Sequence, residues 1–431
     1  MMRKLMVWTM ILMMMCFSMA PVWANGPEGQ VMEYSWYQEG ASRHRGTLSS
    51  SSFEDGWNDV MDKCSSGFDV YVTLYEDWIA YEGEFTDDVF NGPGFQDDVI
   101  RVRQGASVTL DLNGFSIDRG TTLDVKNGEV LHVETDGELT VKNGTVIGSV
   151  HITNGKAVTF DNCVFKDNED IDFGAAIYVE GCEELLVENC IFTNLEDDSN
   201  GAAIEAERTA ITVIGSTFRN YTTEHDGGAV YVHNGSLDVT NSQFTGNHAG
   251  GNGGAVAAVD TETNIATCTL GNNAADKNGG ALYVGGDAGK KTEIYLSNFA
   301  DNTAWENGGA LAVADQAQLT LHGCIVDENT ALVHGGAAYV GQTAAMNTAD
   351  YNDELGRDVY PTKFIGNEAS EKGDVIFVDT PDGGIEEGEE WVEPTEVGRN
   401  ENVGFDVTDI VLTLSVVFVA VTVVLNFRKA K

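Results

Sequence analysis

Gly227-Gly228-Ala229-Val230-Tyr231-Val232, Gly253-Gly254-Ala255-Val256-Ala257-Ala258 and Gly279-Gly280-Ala281-Leu282-Tyr283-Val284 are three copies of one phrase. Gly174-Ala175-Ala176-Ile177, Gly201-Ala202-Ala203-Ile204, Gly308-Gly309-Ala310-Leu311 and Gly335-Gly336-Ala337-Ala338 extend it in both directions. The phrase alanines at 176, 203, 229, 255, 281, 310 and 337 are 27, 26, 26, 26, 29 and 27 residues apart. So regular a step predicts a stacked solenoid, in which each unit buries its apolar face only against its neighbours.

A second phrase keeps the same step. Phe165, Phe192, Phe218, Phe244, Leu270, Phe299 and Val326 recur at identical spacings, and Asn168, Asn247, Asn273, Asn302 and Asn329 stand three residues further on. Leu195 and Tyr221 occupy that slot in the other two copies. After each phrase alanine, the first and third positions are apolar and the second varies, which is the period of a strand with one face inward. A second strand follows, as in Leu185-Leu186-Val187 and Leu237-Asp238-Val239, then a corner and a third strand ending at the Phe. Asn162, Asn189, Gly215, Asn241 and Gly323 stand at the corners and tolerate the positive φ of a sharp bend; Thr267 and Leu296 do not, so those two corners are predicted to bend differently. Three short strands per coil give an all-β fold, a right-handed parallel β-helix solenoid. The asparagines are expected to stack as an amide ladder.

The paired Gly-Gly-Ala-[Ile/Leu/Val] and Phe-x-x-Asn motifs, over roughly 165–378, resemble the polymorphic outer-membrane-protein repeats of surface adhesins. Val108-Thr-Leu-Asp-Leu-Asn-Gly114-Phe-Ser-Ile117 resembles the opening coils of pectin-lyase-like β-helix proteins. Those resemblances imply the β-helix fold and, by analogy, a surface-binding role.

Both ends read as membrane topology. Arg3 and Lys4, the apolar Leu5–Met19 and Val22-Trp23-Ala24 form a signal peptide over 1–24. Residues 407–427 are apolar and long enough to cross a bilayer as one C-terminal transmembrane helix, and Arg428, Lys429 and Lys431 place the tail 428–431 in the cytoplasm. Between solenoid (69–380) and membrane, 381–406 is an acidic stalk carrying Glu386-Glu-Gly-Glu-Glu390. The expected address is the cell membrane, single-pass, with the body extracellular. Residues 25–68 hold a leader and an N-terminal helical cap from Phe53 to Lys63, with Phe53, Trp57, Val60 and Met61 on one stripe. Eleven extra residues are expected within 341–356, because Phe364 lies 38 past Val326. They should emerge as one lateral loop.

The net charge of −44 argues against nucleic acid, whose binders need the opposite sign. Cys163, Cys190, Cys268 and Cys324 share a repeat slot with Ser216, Ser242 and Ser297, which reads as a small buried position. Cys163 and Cys190 fall in successive coils, within reach of a disulfide.

Three chemistries are open to such a chain. Tyr178, Tyr231, Tyr283 and Tyr339 point outward on alternate coils about 10 Å apart, comparable to a disaccharide step, and form a candidate glycan stripe. Glu169, Asp170 and Asp172 precede Glu196, Asp197 and Asp198 by one repeat, and carboxylates so stacked would suit calcium. The alternative is a polysaccharide lyase or glycoside hydrolase using the side groove. Hydrolysis needs converging carboxylates, whereas Asp87-Asp88, Asp97-Asp98 and Asp197-Asp198 fall in predicted turns and His322 and His334 stand isolated. The reading favoured is a non-catalytic, adhesin-like or glycan-binding protein whose partner is an extracellular glycan or protein and which needs no cofactor.

Overall fold

In a computed structural model of the chain, the phrase positions stack in register. It describes residues 28–38, 44–80, 92–96, 99–120, 128–166, 175–193, 196–197, 199–287, 289–352, 359–371, 373 and 375–379, with backbone alone at 96, 196, 197, 352 and 359. Ile177, Ile204, Val230, Val256, Leu282, Leu311 and Ala338 pair successively in parallel, and all are buried. The regular part is an all-β, right-handed parallel solenoid of about eight turns. Among the described residues the phrase strands form one sheet of 12 strands, the two strands flanking the corner share a sheet of 22, and the turn after the Phe builds a third of 7.

Two columns hold the interior. Phe165, Phe192, Phe218 and Phe244 stack with centroids 4.4, 4.6 and 4.7 Å apart and planes within 8°. Offset or edge-to-face geometry is the usual preference for such rings. Here the strand spacing of about 4.8 Å imposes face-to-face packing. Beside them runs the expected amide ladder: Asn247, Asn273, Asn302 and Asn329 each donate from Nδ2 to the Oδ1 of the next asparagine, at 2.9–3.0 Å, ending on Asn367. The same amides donate to the carbonyls of Phe218, Phe244, Leu270 and Phe299, so every rung is satisfied twice over. Asn168 and Leu195 lie outside the described residues.

The corners correct one expectation. Asn162, Asn189, Gly215, Asn241 and Gly323 have positive φ, but so do Thr267 (φ 54) and Leu296 (φ 47). Register with the coils on either side dictates the bend whatever residue stands there. An ordinary side chain in that conformation costs roughly 1–2 kcal/mol. Thr267→Asn, which puts the residue of the neighbouring corners at an exposed position, should therefore stabilise the chain by about 1 kcal/mol, read as a raised thermal midpoint. No change or a fall would contradict this reading of the bend.

The N-terminal helix runs Phe53–Ser65 and buries Phe53, Gly56, Trp57, Val60, Met61 and Cys64. Ser52 Oγ accepts from the Asp55 N–H at 3.3 Å, and Glu54 and Asp55 face the positive end of the helix dipole. Trp57 Nε1 donates to Arg101 O at 3.1 Å, while Phe53 packs on Trp78 and Phe95. The leader that precedes this helix is built of strands. Met32–Gln38 and His44–Ser50 form an antiparallel hairpin, and the first of them also pairs antiparallel with Phe68–Leu74 of the opening coil. That pairing occupies a strand edge that would otherwise be open.

The insertion emerges one strand later than predicted. Ala345–Ala349 still pairs in register with Gln318–His322, and the extra residues follow as a two-rung antiparallel hairpin, Tyr351 opposite Tyr360. Among the described residues no helix is long and apolar enough to cross a membrane. The signal segment 1–24, the stalk and residues 407–427 lie outside the described residues.

Candidate functional site

The outward face of the phrase sheet carries one unbroken column. Position two after each phrase alanine pairs with its equivalent in the next coil: Tyr178 with Glu205, Glu205 with Tyr231, then Ala257, Tyr283, Ala312 and Tyr339. The four predicted tyrosines thus share one register line on alternate rungs. The line continues past both ends of the repeat, to Phe377 beyond Tyr339 and to His151, His132 and Arg101 before Tyr178.

Alternation has a packing consequence. Ala257 and Ala312 face outward yet are 0% and 1% exposed, so their neighbours close over them. The Tyr283 ring lies along its own strand above Gly285, where an added Cβ would meet Tyr283 Cε1 and Oη at 2.9 Å. The ring thus packs along the backbone of its own strand, over the one position there without a side chain. Burial, reinforced by Asp315 and Asp226, pushes the Tyr283 hydroxyl up to about 12. Burial likewise raises Tyr178, Tyr231 and Tyr339, with the charges of Glu180, Asp226 and Asp379 respectively adding to it most. All four are therefore neutral hydroxyls flanked by carboxylates.

At its C-terminal end the column opens into a cleft of about 500 Å³ lined by Glu306, Asn307, Val333, His334, Tyr339, Phe377 and Asp379. Phe377 packs on two rings: the His334 ring lies 4.2 Å away at 21° and the Tyr339 ring 5.7 Å away at 10°. Tyr339 Oη donates to Asp379 Oδ2 at 3.4 Å, and His334 Nδ1 lies 3.0 Å from Asn307 Oδ1. His334 is thus part of an aromatic cluster rather than isolated. Phe377 was findable, since it sits 38 residues past Tyr339, the step that the insertion sets. His322 pairs with Glu293 at 2.7 Å and stacks on Tyr295.

The remaining candidates are placed as follows. Glu169, Asp170, Asp172 and Asp198 lie outside the described residues. Glu196 and Asp197 form a short strand whose backbone pairs with Thr222 and Thr223. Asp87-Asp88 and Asp97-Asp98 also lie outside. Cys163 and Cys190 are neighbours but both thiols are free. Cys190 Sγ lies 3.4 Å from Phe160 O and Cys163 Sγ 3.4 Å from Val141 O. The adjoining Cys190 and burial hold the Cys163 thiol far above its ordinary range, so it stays protonated. The shared slot has a structural use: the Ser216 and Ser242 hydroxyls accept from the N–H groups of Cys190 and Ser216, at 3.0 and 3.1 Å.

The sequence is similar to a family described as a right handed beta helix region, over residues 94–243 and again over 148–290. No curated protein matches it. Among solved structures, PfbA, a surface adhesin of Streptococcus pneumoniae, aligns over 66% of this chain and 83% of that chain, at 11% identity and a TM-score of 0.34. So loose a superposition transfers nothing about role.

Proposed function

We propose that this chain is a non-catalytic cell-surface binding protein that lays an extended, uncharged polysaccharide along the Tyr178–Tyr339 column. The observation that carries the reading is the single register line, with tyrosines on alternate rungs and small or acidic residues between them. Rungs about 4.8 Å apart bring successive rings to roughly the length of two sugar units. Flanking carboxylates accept sugar hydroxyls, and the net charge of −44 repels acidic glycans.

In this reading the helix Phe53–Ser65 serves as the solenoid's N-terminal cap. Residues 407–427 hold the body outside the cell membrane. Sequence alone supports that anchor.

On an array of neutral and acidic glycans, the full chain should bind neutral linear polysaccharides. Tyr231→Ala combined with Tyr283→Ala should weaken that binding at least fivefold, since stacking is worth about 0.5–1.5 kcal/mol per ring. The rings also cover Ala257, so the unfolding midpoint should fall, and binding is compared at a temperature where circular dichroism shows both proteins folded. Unchanged binding in the double variant, or a preference for acidic glycans, would sink the proposal.

A further inference from the structure

The column's N-terminal end is chemically unlike the rest. His132 and His151 occupy neighbouring rungs of it. Glu129 should not join them, because residues three apart on a regular strand point to opposite faces. A register shift brings it there: Ser149 pairs with Glu129 and Val150 with Leu131, so Val130 is skipped. Val130 and Leu131 are accordingly both buried, and Glu129 and His132 both face out. Bulges re-aim side chains in this way. Here the bulge delivers a carboxylate to two imidazoles.

His132 Nδ1 stands 2.5 Å from Glu129 Oε1, and His151 Nδ1 3.9 Å from the same oxygen. One donor atom from each residue lies within 4.8 Å of the others. The three side chains are 19%, 25% and 14% exposed, sheltered yet open on one side.

We propose that Glu129, His132 and His151 form a zinc site, with the remaining coordination position open to water. Two imidazole nitrogens and one carboxylate oxygen are a donor set that Zn2+ takes tetrahedrally at about 2.0–2.2 Å, which sets donors about 3.4 Å apart. The observed separations bracket that value, so side-chain rotation closes the shell. A harder ion such as calcium would want more oxygens than this site offers. Arg101 is the next residue in the column and competes for the Glu129 carboxylate. It makes the site weaker than a closed structural one.

Zinc titrated calorimetrically into the full-length chain tests this. One ion should bind per chain, and His132→Ala, His151→Ala and Glu129→Gln should each weaken it at least tenfold. His233→Ala, which removes a histidine flanked by Glu207 and Asp260 outside the cluster, should leave that affinity alone. Arg101→Gln should tighten it. Far-ultraviolet circular dichroism establishes that each variant is folded, as outward-facing substitutions predict. No saturable zinc uptake, or uptake indifferent to both His132→Ala and His151→Ala, overturns the proposal.

Discussion

Asn302→Ala should cost about 4 kcal/mol, a large part of a domain's usual 5–15 kcal/mol. Asn302 is fully buried and sits inside the ladder. Its amide donates to Asn329 Oδ1 and Leu270 O, each at 2.9 Å, and its oxygen accepts the Asn273 amide and backbone N–H, each at 3.0 Å. Alanine strands two buried donors and a carbonyl, and each orphan costs about 1–3 kcal/mol. Asn302→Asp should be worse still, because it buries a charge facing Asn329 Oδ1 and Leu270 O with nothing to donate to them. Asn247→Ala should be milder. The rung before it is Tyr221, which offers Asn247 only a backbone N–H at 3.2 Å. Urea midpoints rank the three, and equal losses at Asn247 and Asn302 would show that the ladder does not act as a chain.

Gly280→Ala should be the second severe change, costing about 3 kcal/mol or preventing folding. The two glycines of the phrase differ in purpose. Gly279 has φ 70 and supplies the left-handed bend. Gly280 needs no such conformation; an added Cβ there would collide with the Gly309 carbonyl oxygen and lie 2.6 Å from the Thr303 carbonyl carbon. Both obstacles are backbone of the next coil, so no rotamer relieves them and the coils must part. Gly271→Ala, at the end of the strand Thr269–Gly271 in the same coil, is the control. Its Cβ would meet only Ala300 O at an ordinary 3.4 Å, and alanine there should be neutral or slightly stabilising. Similar losses at both positions would show that the collision is not what excludes alanine at 280.

Which features the sequence reveals follows from which features repeat. Stacking makes equivalent residues solve one packing problem many times over, so the Phe column, the amide ladder and the tyrosine line were legible as spacings. Non-repeating parts were not. The hairpin Met32–Gln38/His44–Ser50 escaped because its second strand is mostly exposed and shows no apolar alternation. Thr267 and Leu296 misled because residue preference at a corner is weaker than the register imposed by adjoining coils. His132 and His151 belong to the same column as the tyrosines, but their coils lack the glycine phrase that numbers the rungs. The bulge at Val130 hides Glu129 from any count by twos.

The central claim is that a ligand is read along the column and not at one point of it. Six register steps separate Tyr178 from Tyr339. At about 4.8 Å each they span about 29 Å, or roughly six sugar units. Calorimetric titration with a graded series of neutral oligosaccharides, matched to the strongest array ligand, measures this directly. Affinity should climb with each added disaccharide until the chain covers the line, then level off. A disaccharide that binds as tightly as the longest chain would contradict the account.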